Sequence, residues 1–379
     1  MESMEKYSFE NAQKEAGVMK EKIKSGEAQN YQEAANIIDE KNNRIETLQS
    51  DIDDSIKIEE LRGKIGAENK DASFDSFATE LPRNGEHINF GELQKVGNGG
   101  THDVFISPQN PSFAIKLNRG ILNTIINSGQ SEFIPEMQQN AEKLVTEKNA
   151  EYDQLYKYFG QKHCLRERMQ IQKISVEKDG EIKNIEGLIS IQESSDVFKD
   201  PNKKDFSASY AETMLTEENK ESYEMMNEAL LADGDFKAED FLKFNEKLAP
   251  IFDLIEKDKD FANSMQEFLL RFKEYFNASG KFIDLVGEEN VLFHQKDGEW
   301  TFQIGSVLKA ESRQNIEEAL KILEENPEQL NVGHLKGNLK NGLALIRMLN
   351  ATGMKAGIGK IVDIPLSKTQ LNNLGKVNF

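Results

Sequence analysis

The chain has one cysteine, Cys164, in 379 residues. That excludes an intramolecular disulfide and a cysteine-rich zinc site. Its five histidines, His87, His102, His163, His294 and His334, are scattered with no pair four positions apart, so a histidine-based zinc site on one helix face is not expected. Positive charge is in deficit: 47 Lys and Arg against 66 Asp and Glu leave a net charge of −19. Non-specific binding of nucleic acid and adhesion to an anionic membrane both need a basic face, so neither partner is expected. No apolar run reaches the roughly 18 residues that a membrane-spanning helix requires. Glu2, Glu5 and Lys6 stand where an apolar signal core would lie. Rich in Lys, Glu, Asn and Ile, the composition reads as that of a cytoplasmic bacterial protein, long enough for two or three domains or one large two-lobed unit.

What the sequence does have is organised around Leu93 to Leu117, L-Q-K-V-G-N-G-G-T-H-D-V-F-I-S-P-Q-N-P-S-F-A-I-K-L. A short apolar run ends at Gly97-Asn98-Gly99-Gly100. Val104 to Ile106 restarts a β-prone run, Pro108 to Ser112 turns, and Phe113 to Leu117 supplies a third strand carrying Lys116. This spacing predicts a three-stranded antiparallel meander. Three glycines in four residues let the backbone approach a ligand closely, with N–H groups aimed at phosphate oxygens. Lys116 then offers a point charge two strands away.

Upstream, Ile38, Ile45 and Ile52 repeat every seven residues. The repeat suits a short coiled-coil seam or a helical extension, and at barely two heptads the extension is expected. Ala67 to Glu86 reads as a linker. Downstream, Asn118 to Ile134 is of mixed character, and Glu132 to Gly160 keeps helical spacing with a glycine at its end. Met169 to Val176 and Gly187 to Gln192 alternate around Lys178-Asp179-Gly180-Glu181, predicting two more antiparallel strands. From Asp205 to Asp260 the chain is helical and acidic. Phe261, Met265, Phe268, Leu269, Phe272 and Phe276 then mark a buried helix. After Asp284 and Asn290 comes a hairpin turned at Lys296-Asp297-Gly298, with Val291–Phe293 and Trp300–Ile304 as its strands. Helices over Arg313–Leu323 and Leu335–Leu349 follow, separated by Glu325-Asn326-Pro327. His163-Cys164 suggests a nucleophile, but no third group supports it, and a structural cysteine is expected.

The glycine turn followed by A-I-K resembles the glycine loop and lysine strand of protein kinases, where G-x-G-x-x-G-x-V precedes V-A-I-K. Gly97, Gly99, Val104, Ala114, Ile115 and Lys116 fit; the third glycine of the pattern falls on His102, with Gly100 displaced toward the second. The resemblance spans about Gly91 to Leu308. It implies ATP as ligand and a glutamate of the Glu132–Gly160 helix, Glu147 or else Glu151, paired with Lys116. It also implies a lobe connector at Ile191–Ser195, with Gln192 at the base. Asp284 takes the place of the catalytic aspartate, and Asn290 that of the Mg²⁺-binding asparagine. Their spacing of six exceeds the family's five, and Phe282-Ile283 replaces the usual histidine-containing lead.

The D-F-G slot falls on Ile304-Gly305-Ser306, with no carboxylate between Glu299 and Glu311. A serine hydroxyl is a poor substitute for a carboxylate on a hard dication. No A-P-E element appears. The expected fold is therefore α+β, a bilobal protein kinase-like fold with a five-stranded antiparallel small lobe, a reduced helical large lobe and an N-terminal helical extension. The expected divisions are 1–85, 86–194 and 195–379. The expected function is that of a nucleotide-binding pseudokinase with weak or no phosphoryl transfer and a possible protein partner. Two alternatives stand beside it. One is an active phosphotransferase using Asp284 and Asn290, with Glu288 or Glu289 completing an unusual metal set. The other is a non-enzymatic scaffold acting through its N-terminal helices.

Overall fold

The computed structural model describes residues 81–374 apart from 99–101, 109–112, 179, 196, 198–199, 209–219, 232–237, 289, 306–311 and 332–333. All of these fall in one compact unit, Glu60–Phe379. The expected N-terminal extension and most of the expected linker lie outside the described residues.

The fold is α+β. Its larger sheet is built from β1 (Arg83–Asn84), β2 (His87–Asn89), β3 (Gln94–Asn98), β4 (His102–Ile106), β5 (Phe113–Asn118), β6 (Glu167–Lys178) and β7 (Glu181–Glu193). The spatial order is β1-β2-β6-β7-β5-β4-β3. The meander β3-β4-β5 is present and antiparallel. The sheet has seven strands where five were expected, and β2 runs parallel to β6. The reason is local: Gly85, at φ 62°, turns β1 into β2, and fully buried Ile88 stands in register with equally buried Ile174. One apolar residue in a polar stretch was enough to add an edge strand.

Two helices precede β6. α1 (Arg119–Ser128) fills what the sequence presented as a mixed insertion. The Asn118 side chain accepts from the Ile121 N–H at its start, and Gly129 ends it at φ 69°. α2 (Pro135–Phe159) begins with proline in its first turn and stops at Gly160.

A second sheet, in the order β10-β9-β8, joins β8 (Lys204–Asp205), β9 (Val291–Lys296) and β10 (Glu299–Ile304). Asp297 and Gly298, at φ 55° and 88°, make the tight turn of the expected β9–β10 hairpin. Around it lie α3 (Lys220–Leu231), α4 (Ala249–Lys257), α5 (Lys259–Ser279), α6 (Arg313–Glu325), α7 (His334–Lys355) and α8 (Lys368–Leu374). Two short 3₁₀ turns precede α4. α5 is the phenylalanine-rich helix: Asp258 caps it, Gly280 ends it, and Phe261, Phe268, Phe272 and Phe276 are fully buried.

Two hydrophobic clusters result. The smaller holds Ile88, Ile115, Leu117, Ile174, Ile189 and Ile191; the larger centres on α5, β9 and β10. α2 serves both, with Ala141 in the smaller and Leu155 and Phe159 in the larger.

Candidate functional site

Alternation along the strands decides which side chains can meet. On β5, Ile115 and Leu117 enter the smaller core, so Ala114, Lys116 and Asn118 point to the opposite face. Register places Lys116 between Val104 and Ser190, and Glu167 opposite Gln192. A polar cluster forms there, contributed by four adjacent strands and α2.

At its centre Lys116 Nζ donates to Glu167 Oε2 at 3.1 Å. The two side chains are 11 % and 1 % exposed, so the pair is nearly dry. This differs from the expected partner. Glu147 sits on an exposed face of α2 and approaches Lys143 at 3.9 Å, while Glu151 binds Lys148 and Lys281 at 2.6 and 2.7 Å. Burial explains the outcome: an acid already on the lysine's face of the sheet needs no helix movement to reach it. Glu167 stands in phase with Met169, two residues before the point at which the sequence signalled a strand, and this was the available clue.

Ser190 and Tyr152 are buried beside Glu167 in the same cluster. Tyr152, from α2, is near enough to Glu167 to feel its charge; burial first, and that carboxylate second, push the phenol's pKa up. His102 is buried too, with Nε2 3.4 Å from Asn118 Nδ2. Burial, then the positive charge of Lys116, lower its pKa against the opposing effect of Glu167. Gly97 lies opposite Val104 in the β3–β4 ladder, where a strand irregularity begins. Gly99 and Gly100 lie outside the described residues. Val104 and Ala114 are half-buried on the lysine's face.

Gln192 connects this face to the second sheet. Its Nε2 donates to the Gly305 carbonyl, and the Gly305 N–H donates to the Asn290 carbonyl at 2.9 Å. The expected connector is partly strand: Ile191 to Glu193 belong to β7, and the Glu193 N–H is spent on Arg166 O at 2.9 Å. Gln192 therefore acts here through its side chain.

Asp284 and Asn290 come together around Gly287. A Cβ at Gly287 would stand 2.6 Å from Asn290 Nδ2, so that side chain would have to give, and 3.8 Å from Asp284 Oδ2, an ordinary contact. Asp284 Oδ1 accepts from the Val286 and Gly287 N–H groups, both at 3.2 Å. Glu288 instead pairs with Lys247 at 3.1 Å on the surface, and Glu289 lies outside the described residues. Among the described residues no three His, Cys, Asp or Glu side chains are grouped as metal ligands. One carboxylate and one carboxamide are a weak set for Mg²⁺.

A buried network anchors the surroundings. His163 Nε2 lies 3.3 Å from Glu267 Oε1, and its Nδ1 lies 2.9 Å from Phe302 O. Arg271 Nη2 reaches the same Glu267 oxygen at 2.7 Å and donates through Nη1 to Phe159 O at 3.1 Å. The end of α2, β10 and α5 are thus tied at one point. Burial would raise the Glu267 pKa, but hydrogen bonding and charge from His163, with Arg271 beside it, hold it down to about 2. Cys164 is buried and its thiol pKa is pushed up by that burial, which suits packing and not nucleophilic attack.

No helix among the described residues is long and apolar enough to cross a membrane. Comparison with known proteins finds no matching protein-family model, no matching curated protein and no matching solved structure.

Proposed function

We propose that the chain is a kinase-like nucleotide-binding protein of the pseudokinase type, with weak or no phosphoryl transfer. One observation carries the reading: Lys116, on a central strand, is buried beside a carboxylate on the face from which Gln192 reaches Gly305. A lysine ammonium has three donors, and Glu167 is its one hydrogen-bond partner among the described residues. The remaining donors suit the phosphates of ATP. The strand order β6-β7-β5-β4-β3, with α2 between β5 and β6, is consistent with a kinase small lobe to which β1 and β2 have been added. Half-buried Val104 and Ala114 would flank the base, with Gly97 toward the phosphates.

The metal-holding end supports the inactive form of the reading. Asp284 and Asn290 both lie beside Gly287, but the slot at Gly305-Ser306 brings no second carboxylate. In-line phosphoryl transfer depends on cations bridging the phosphate oxygens. Lys116 alone would hold the nucleotide without neutralising the charge that develops in transfer.

Thermal unfolding with ATP, with and without Mg²⁺, tests this. Stabilisation independent of metal is expected, and it should vanish in the paired variant Lys116→Met/Glu167→Leu, which removes both charges together. The active alternative is favoured by one feature, the meeting of Asp284 and Asn290 at Gly287. It predicts Mg²⁺-dependent ATP consumption abolished by Asp284→Asn.

A further inference from the structure

A second polar cavity lies away from Lys116, on the outer face of the smaller sheet. Along β10, Phe302 and Ile304 enter the larger core, so Thr301 and Gln303 face outward. Thr301 stands directly across from His294 of β9, and Lys296 is two residues further along the same face. Lys162, from the turn after α2, lines the cavity as well, together with Ser195 and Asp200. Its volume is about 460 Å³, within the range of small-molecule sites.

The lining is rich in donors. Ser195 Oγ donates to Gln303 Oε1, which turns the Gln303 amide nitrogen toward other acceptors. Thr301 is only 8 % exposed, and its hydroxyl has no partner. Among the described residues neither Lys162 nor Lys296 forms an ion pair, although Glu299 stands opposite Lys296 across the hairpin. Two lysines in one cavity with no ion pair to any described residue stand out on a chain of net charge −19. Among the described residues Asp200 is the one acid of the lining, and one of its oxygens is engaged by the Asn202 N–H at 2.8 Å.

We propose that this cavity binds a compact dianion of the phosphate type, held by Lys162, Lys296, Thr301 and Gln303, at a site distinct from the Lys116 cleft. The two ammonium groups supply charge, while the threonine hydroxyl and glutamine amide supply directed donors. An unsatisfied buried hydroxyl costs free energy until an acceptor reaches it, and a phosphate oxygen is such an acceptor.

The test is an NMR titration of the full chain with inorganic phosphate at constant ionic strength, following the His294 imidazole and the Thr301 amide. Saturable shifts at both are expected. Lys162→Gln and Lys296→Gln should each weaken binding about threefold, and together about tenfold, as fits exposed ion pairs. Thr301→Val should weaken it as well, while Lys116→Met/Glu167→Leu should leave it unchanged. Shifts that rise linearly without saturating would overturn the proposal. So would saturation indifferent to the double lysine variant, or saturation abolished by the Lys116 variant, which would assign the binding to the cleft.

Discussion

Lys116 and Glu167, 51 positions apart, form a buried ion pair at 3.1 Å on the sheet face opposite Ile115 and Leu117. Removing one partner of such a pair leaves a charge stranded in a low-dielectric site, whereas removing both leaves none. Glu167→Ala should therefore cost about 3–5 kcal/mol in urea unfolding. The paired variant Lys116→Met/Glu167→Leu should lose markedly less than Glu167→Ala. Equal or additive losses would show that the two charges do not depend on each other.

Glu267 gives the stability a defined acid limb. Its carboxyl has a folded-state pKa of about 2, against 4.5 as the ordinary value. A group whose pKa is depressed on folding stabilises the native state fully above the ordinary value and loses that contribution as pH falls through the folded one. Stability should thus fall between about pH 4.5 and about pH 2, by up to about 3 kcal/mol from this group. Glu267→Gln should flatten that limb in denaturant titrations at stepped pH. An unchanged slope in the variant would contradict the assignment.

Two glycines of α7 should respond oppositely to alanine. At Gly353 a Cβ would stand 2.3 Å from Gly359 O and 2.7 Å from Ile361 Cγ1. The opposing loop is pinned, because Asn350 Oδ1 accepts from the Ile361 and Val362 N–H groups, both at 2.9 Å. Gly353→Ala should destabilise by about 1–3 kcal/mol despite the better helix former. Gly337, with nothing within 4 Å, should gain up to about 1 kcal/mol as alanine. Melting temperatures of the two variants should move in opposite directions.

Where local chemistry decided a feature, the sequence displayed it. Lys296-Asp297-Gly298 announced the β9–β10 turn, the phenylalanines of α5 announced its buried face, and Gly160 and Gly280 announced two helix ends. α1 was hidden because Asn118 caps it and Gly129 ends it within a stretch whose apolar residues looked irregular. β1 and β2 were hidden because their place depends on Ile88 meeting Ile174, a pairing across 86 positions that no local pattern encodes. The lysine of the site was legible, and its partner was not. Helical spacing offered Glu147 and Glu151, but Glu167 reaches Lys116 through strand register, a property of the assembled sheet.

Nucleotide binding at Lys116 is the central claim, and calorimetric titration of the full chain with ATP in the absence of divalent metal tests it most directly. The account predicts saturable binding to the wild-type chain that is lost in Lys116→Met/Glu167→Leu while the variant stays folded. Binding retained in that variant, or no heat of binding to the wild type with or without Mg²⁺, would contradict it.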